Sequence, residues 1–144
     1  MVADNWFSEI ESTIFTYLKY VLVEEDEARF KDLNCTTSSE SESIENIVDF
    51  PTLYIHLLPL VELGNDLYNT DVAAVRATVE LQVITDKSEA SCRKIMDACI
   101  LAMKQLRFNI PMFPDPQTSN KKYFAIARFS RVIASGDSDI VQKV

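Results

Sequence analysis

Glycine is nearly missing from this chain: only Gly64 and Gly136 occur in 144 residues. A glycine-rich loop that wraps backbone N–H groups around a phosphate has nothing to be built from. Histidine occurs once, as His56, so a single side chain has an unperturbed pKa suited to acid–base work near neutrality. Cysteine is limited to Cys35, Cys92 and Cys99, an odd set with no CxxC spacing. On a helix, Cys92 and Cys99 stand about 10 Å apart along the axis, too far for a disulfide. Free thiols in a reducing compartment are the reading that results. No apolar run approaches the roughly 20 residues that a bilayer span takes. The N-terminal residues show no basic stretch followed by an apolar block, so neither a membrane protein nor a secreted precursor is expected.

Positive charge is also in short supply. Lys and Arg number 14 against 22 Asp and Glu, a net charge of −8. Nucleic-acid binding takes most of its affinity from cations on phosphates, so a dedicated DNA or RNA binder is not expected. The imbalance is local. Residues 24–49 hold nine acids and two bases (−7), which leaves thirteen acids and twelve bases (−1) elsewhere. Apolar residues make up 47% and charged residues 25% of the chain, the balance of a globular protein. At this length one domain is expected over 1–144, burying roughly two thirds of its unfolded surface without metals or disulfides.

Asp4 is read as an N-cap, and Trp6, Phe7, Ile10, Ile14, Tyr17, Leu18 and Val21 recur at helical spacing, predicting a helix over 5–22. The acids Glu24, Glu25, Asp26 and Glu27 oppose the macrodipole at a helix C-terminus, so the helix should stop there. Phe30 and Leu33 sit in a candidate short edge strand. Residues 32–49 read as a mobile acidic loop, because 36–43 hold no apolar side chain. Asn34-Cys35-Thr36 matches a glycosylation sequon and is read as a chance triplet.

Past Phe50-Pro51 the chain is biased toward extended backbone. Leu53–Leu58 predicts a strand that Pro59 ends or confines to an edge. Gly64-Asn65-Asp66 is turn chemistry. Val75, Ala77, Val79, Leu81 and Val83 then alternate with Arg76, Thr78, Glu80 and Gln82, a strand with one core face and one wet face. Asp86 and Glu89 have capping-box spacing, with Ser88 as a competing cap. Cys92, Ile95, Met96, Cys99, Ile100, Met103 and Leu106 form the apolar stripe of a second helix. Asn109–Phe113 is a candidate short strand before a proline-rich loop. Tyr123, Ala125, Ala127 and Phe129 alternate with Phe124, Ile126 and Arg128 in a last strand reaching Ala134, and a flexible tail is expected over 138–144. The fold class expected is α+β: an antiparallel sheet of about four strands with two main helices packed on one face.

Chemistry is thin along this chain. His56 falls on the wetter side of its strand, opposite in facing to Ile55 and Leu57, and needs no catalytic role. Asp137 and Asp139 are too few oxygen ligands for a calcium loop. Lys121-Lys122 with Tyr123-Phe124 reads as an ordinary strand entrance, and Trp6 and Phe7 as core. Catalytic, cofactor-binding and metal-binding residues are not assigned.

The stretch Phe129-Ser130-Arg131-Val132-Ile133-Ala134-Ser135-Gly136-Asp137 resembles the C-terminal strand of tail-terminator (minor capsid, tail-completion) proteins of long-tailed bacteriophages. The amphipathic first helix, the strand entry Phe50-Pro51-Thr52-Leu53-Tyr54-Ile55, and the Val79–Asp86 strand leading into the Ser88–Phe108 helix are similar to that family in order. The long acidic segment departs from it. The resemblance implies a structural virion protein rather than an enzyme: a hexameric ring that caps the tail tube at the head–tail junction and is assembled in the bacterial host cytoplasm. Its implied partners are itself, the tail-tube protein and a head-completion or connector protein. DNA would pass through only in transit, with no cofactor and no membrane. On this reading Glu24, Glu25, Asp26 and Glu27 with Gly64, Asn65 and Asp66 mark docking loops. Arg76, Glu80, Arg128 and Arg131 mark the sheet beside the ring contacts. A head–tail adaptor or stopper is the nearest alternative, and a monomeric intracellular acidic protein-binding module is another. An enzyme would need a substrate cleft around His56.

An unstructured polar loop contributes little burial. Deleting residues 36–43 is therefore expected to leave the thermal transition nearly unchanged, as followed by circular dichroism.

Overall fold

The clearest periodicity in the chain produces its longest ladder. The structure, a computed structural model, describes residues 6–24, 30, 33–36, 51–63, 73–119 and 121–134. In it, strand β4 (Ala74–Thr85) pairs antiparallel with β6 (Lys122–Ala134) from Ala74 opposite Ala134 to Thr85 opposite Tyr123. Because side chains alternate across a strand, one parity of each strand faces inward. Val75, Ala77, Val79, Leu81 and Val83 of β4 and Ala125, Ala127, Phe129 and Ile133 of β6 are all buried in one core.

The sheet is mixed and has six strands, which corrects the expectation of an antiparallel sheet of about four. β1 (Asn34–Thr36) forms one edge and runs parallel to β2 (Thr52–Leu57), β2 runs antiparallel to β4, and β5 (Gln117–Ser119) borders β6. Parallel neighbours need a crossover of about a dozen residues or more, and the acidic segment supplies that length of chain. β1 takes Asn34–Thr36 out of the 32–49 stretch read as loop, while Phe30 and Leu33, expected in an edge strand, are not in one; with Thr36 opposite Tyr54, the 36–43 deletion removes one paired residue. The remaining acidic-loop residues, 37–49, and the C-terminal tail over 138–144 lie outside the described residues, as does Asp4.

Pro59 follows the end of β2, as expected, but strand pairing on β4 resumes beyond it. β2 pairs Leu57 with Val79, and β3 (Val61–Leu63) resumes on the same side of β4 with Val61 opposite Arg76. Three residues, 58–60, thus oppose two, 77 and 78, which is the count of a β-bulge. A proline fits there because it has no ladder N–H to lose. Asn109–Phe113 is not a strand: Asn109 alone bridges to Ser130.

The first helical segment opens with a 3₁₀ turn (Trp6–Glu9), continues as α1 (Ile10–Lys19) and widens into a π-helical turn (Tyr20–Glu24). Trp6, Ile10, Ile14 and Leu18 are buried, and the π turn brings Leu22 inward as well. The Trp6 and Phe7 rings meet edge to face at 5.9 Å. Glu11 Oε2 accepts a hydrogen bond from the Leu57 N–H, tying α1 to the end of β2. Helix α2 (Glu89–Gln105) is capped by Ser88, whose hydroxyl accepts from the Ser91 N–H, rather than by Asp86. Every residue of its expected stripe is buried. Both helices and the inward side of β2, β4 and β6 share one core, so the helices cover one face of the sheet.

Helix α2 ends in a Schellman arrangement. The Phe108 N–H donates to the Met103 carbonyl and the Arg107 N–H to the Lys104 carbonyl, with Arg107 at φ 66°. Glycine favours that left-handed position, and this chain places arginine there. Arg107→Gly is expected to raise unfolding stability by about 1 kcal/mol, read from a denaturant midpoint.

Candidate functional site

With the helices on one side of the sheet, alternate side chains of β2, β4 and β6 point to the other side. The register sets them in rows. His56, Glu80 and Arg128 form one row across β2, β4 and β6, and Tyr54, Gln82 and Ile126 form the next. Arg76 and Val132 lie opposite each other further along. Arg128 Nε donates to Glu80 Oε2 at 2.9 Å, with the two side chains 65% and 26% exposed. A pair this open to water contributes about 1 kcal/mol or less and orders the face more than it stabilises it. At one end of the face Tyr54 and Ile84 are buried together against Phe124. Ile126, next to Phe124 on β6, and Val132, toward the other end, are exposed.

Beside this face lies a groove of about 560 Å³ between the proline-rich loop and the β6 edge, walled by Pro111, Met112, Phe113, Phe124, Ile126 and Arg128. Met112 is 79% and Phe113 68% exposed, unusual for side chains of that size. The backbone at the groove is also informative. Ser130 exchanges both its N–H and its C=O with Asn109, so even-numbered β6 residues present their backbone groups to this edge. Phe124 is matched there by Gln117. Between them, Ile126 and Arg128 have no strand partner on that side among the described residues.

The expected interface residues separate into four groups. Arg76, Glu80 and Arg128 share the sheet face opposite the helices. Arg131 does not join them: its parity is that of Phe129, and Nη1 donates to the Leu106 carbonyl at 2.6 Å, closing the end of α2. A cation at a helix C-terminus is favourably placed. Glu24 stands at the end of the π turn, on the helix layer, 3.8 Å from Lys19 Nζ. Glu25, Asp26, Glu27, Gly64, Asn65 and Asp66 lie outside the described residues, as do Asp137 and Asp139. Met112 and Phe113, expected in a short strand over Asn109–Phe113, are surface groups instead. Their signal was two large apolar side chains enclosed by Pro111 and Pro114, where neither helix nor strand continues.

Among the described residues no three His, Cys, Asp or Glu side chains cluster as a metal site, and no helix is long and apolar enough to cross a membrane. The described cysteines are free thiols. Burial pushes Cys35 and Cys92 from 9.0 up to about 11 and drives Cys99, in the centre of the core, higher still. Thiolate, the reactive form, is thereby suppressed at neutral pH. No protein-family model matches the chain, and no curated protein sequence matches it.

A thiol whose pKa is raised on folding keeps its proton where the unfolded chain has lost it. Its contribution is full below about pH 9 and declines as pH rises through the folded value. Urea midpoints measured from pH 8 to 10.5 are expected to fall above pH 9, and to fall less steeply in Cys99→Ala.

Proposed function

We propose that this protein is a ring-forming structural assembly protein of the tail-terminator kind, closing a phage tail tube and joining it to the head connector. The observation that carries the reading is the sheet face opposite the helices, where Ile126 lies exposed on the wall of the Met112–Phe113 groove and Val132 lies exposed further along β6. Isolated surface apolar side chains are ordinary, but several on one face beside an apolar groove mark an interaction surface. Copies of the chain meet there. Arg76, Glu80 and Arg128 set the register, since charges at an interface act mainly on specificity and rate of encounter. The acidic balance of the chain agrees with a lumen that passes DNA without holding it.

Mass photometry and negative-stain electron microscopy over a wide concentration range test the proposal, with and without isolated tails. Closed rings of six subunits are expected, either alone or on tail tubes. Ile126→Asp combined with Val132→Asp should disperse them while leaving the thermal transition of the single subunit close to that of the parent. A chain that stays monomeric at high concentration and ignores tails overturns it.

A further inference from the structure

The outer edge of β6 has a gap that its own chain does not fill. Asn109 bridges to Ser130 and Gln117 pairs with Phe124, so five residues of β6, 125–129, are opposed by seven of the connecting stretch, 110–116. The two pairings belong to registers two residues apart, and a chain held in both must leave the edge between them. Proline enforces the departure. Pro111, Pro114 and Pro116 have no N–H for a ladder, and Pro111 is the residue that the Asn109 register would set opposite Arg128. The N–H and C=O of Ile126 and of Arg128 point into this notch, four ladder groups with no strand partner there among the described residues. From Phe124 to Ser130 the notch is about 20 Å long at the rise of extended chain. It opens into the groove of about 560 Å³ whose wall includes the exposed Met112 and Phe113.

We propose that this notch receives a short extended segment of a partner protein, paired antiparallel with β6, with an acidic residue opposite Arg128 and an aliphatic one opposite Ile126. The backbone selects the occupant, as in strand addition to a sheet edge. In antiparallel pairing the residues opposite Ile126 and Arg128 each exchange two hydrogen bonds, so three consecutive residues satisfy all four groups. A parallel segment would spread the same bonds over five residues, in a notch that Asn109 and Gln117 close at its ends. The β6 edge of a second copy does not fit, because a strand of thirteen residues would run into both of them. Side chains set the sequence of the segment. Arg128 donates to Glu80 through Nε, and among the described residues its Nη groups bond nothing further. A carboxylate at the next position of the Glu80–Arg128 row continues its alternation of charge. The acid of the groove itself, Asp115, has Arg93 at 3.8 Å. Ile126 is 46% exposed, and an aliphatic side chain opposite it covers apolar surface. Chain direction then fixes the order from N- to C-terminus: acid, any residue, aliphatic. The inference goes beyond ring formation, since it uses the backbone edge of β6 whereas the ring contact uses the sheet face.

Amide hydrogen exchange and chemical shifts of the full chain test it, with acetyl-Ser-Thr-Glu-Thr-Val-Thr-Ser-amide as the probe. In the free chain the Ile126 and Arg128 amides are expected to exchange about tenfold or more faster than those of Ala125 and Ala127, whose N–H groups face β4. The peptide, negative like the chain, should bind saturably and slow both exchange rates about tenfold or more. Its reversed sequence should bind about tenfold more weakly, and so should the probe N-methylated at Glu and Val, whose nitrogens face the edge. N-methylation of the Thr between them should leave affinity within about threefold. Arg128→Gln should erase the preference for the probe over its Gln-for-Glu analogue, and Met112→Ser with Phe113→Ser should weaken binding about fivefold. If the Ile126 and Arg128 amides of the free chain are as slow as their neighbours, the notch is already filled by this chain or a second copy, and the foreign partner is overturned. Equal affinity of the edge-methylated peptide overturns strand pairing, and equal affinity of the reversed peptide overturns the acid-to-aliphatic order. The absence of any saturable shift overturns the site.

Discussion

The β4–β6 ladder is the constraint on which the rest of this structure depends. Twelve opposed pairs hold the two strands in one register. In a sheet with one buried side, a slip of one residue would send Val79, Leu81, Ala127 and Phe129 into water. The helices have a place to pack because that inward row is continuous. β2 and β3 add to the other side of β4, and the bulge at Pro59 lets both do so although their registers differ by one residue. Small residues matter here as much as large ones. Ala77, Ala125 and Ala127 lie in the same core as Phe129 and Phe108, an alternation of sizes by which facing layers interdigitate.

The helix ends are finished with few glycines available. Ser88 closes the start of α2, while its end combines a left-handed Arg107, a Schellman pair of hydrogen bonds and the Arg131 guanidinium on the Leu106 carbonyl. One strand arginine is thereby removed from the surface and tied to the neighbouring helix. The same construction leaves Leu106 on the wall of a groove of about 340 Å³ that Thr13, Thr16 and Tyr20 of the first helical segment also line. Among the described residues, an apolar and ionic sheet face lies on one side and a groove between the first helical segment and the end of α2 on the other.

Much of the fold was legible in the residues. The stripe from Cys92 to Leu106 reads as a helix because its spacing repeats over four turns, and the alternation from Val75 to Val83 reads as a strand with one wet face because nothing interrupts it. β3 and β5 were not legible: three residues each are too short to show a period, and both exist through pairing with a long neighbour. An edge strand was expected at Phe30 and Leu33, but β1 lies at Asn34–Thr36, in the stretch read as loop, and its parallel direction follows from the path of the intervening chain. The exposed pair Met112 and Phe113 escaped because apolar residues in a loop carry no periodic signal of which side faces water.

Local composition and periodicity, then, settled the class of the fold, the inward faces of the long elements, and the reduced state expected of distant thiols. These are properties of a segment by itself: a strand with alternating side chains hides the same face whatever it pairs with. Which side of the sheet the helices would cover, that Arg131 would turn inward while Arg128 meets Glu80, and that Thr13 would be buried without a partner were decided only in three dimensions. Those outcomes depend on register and on which residues distant in sequence become neighbours, and no window along the chain contains that information.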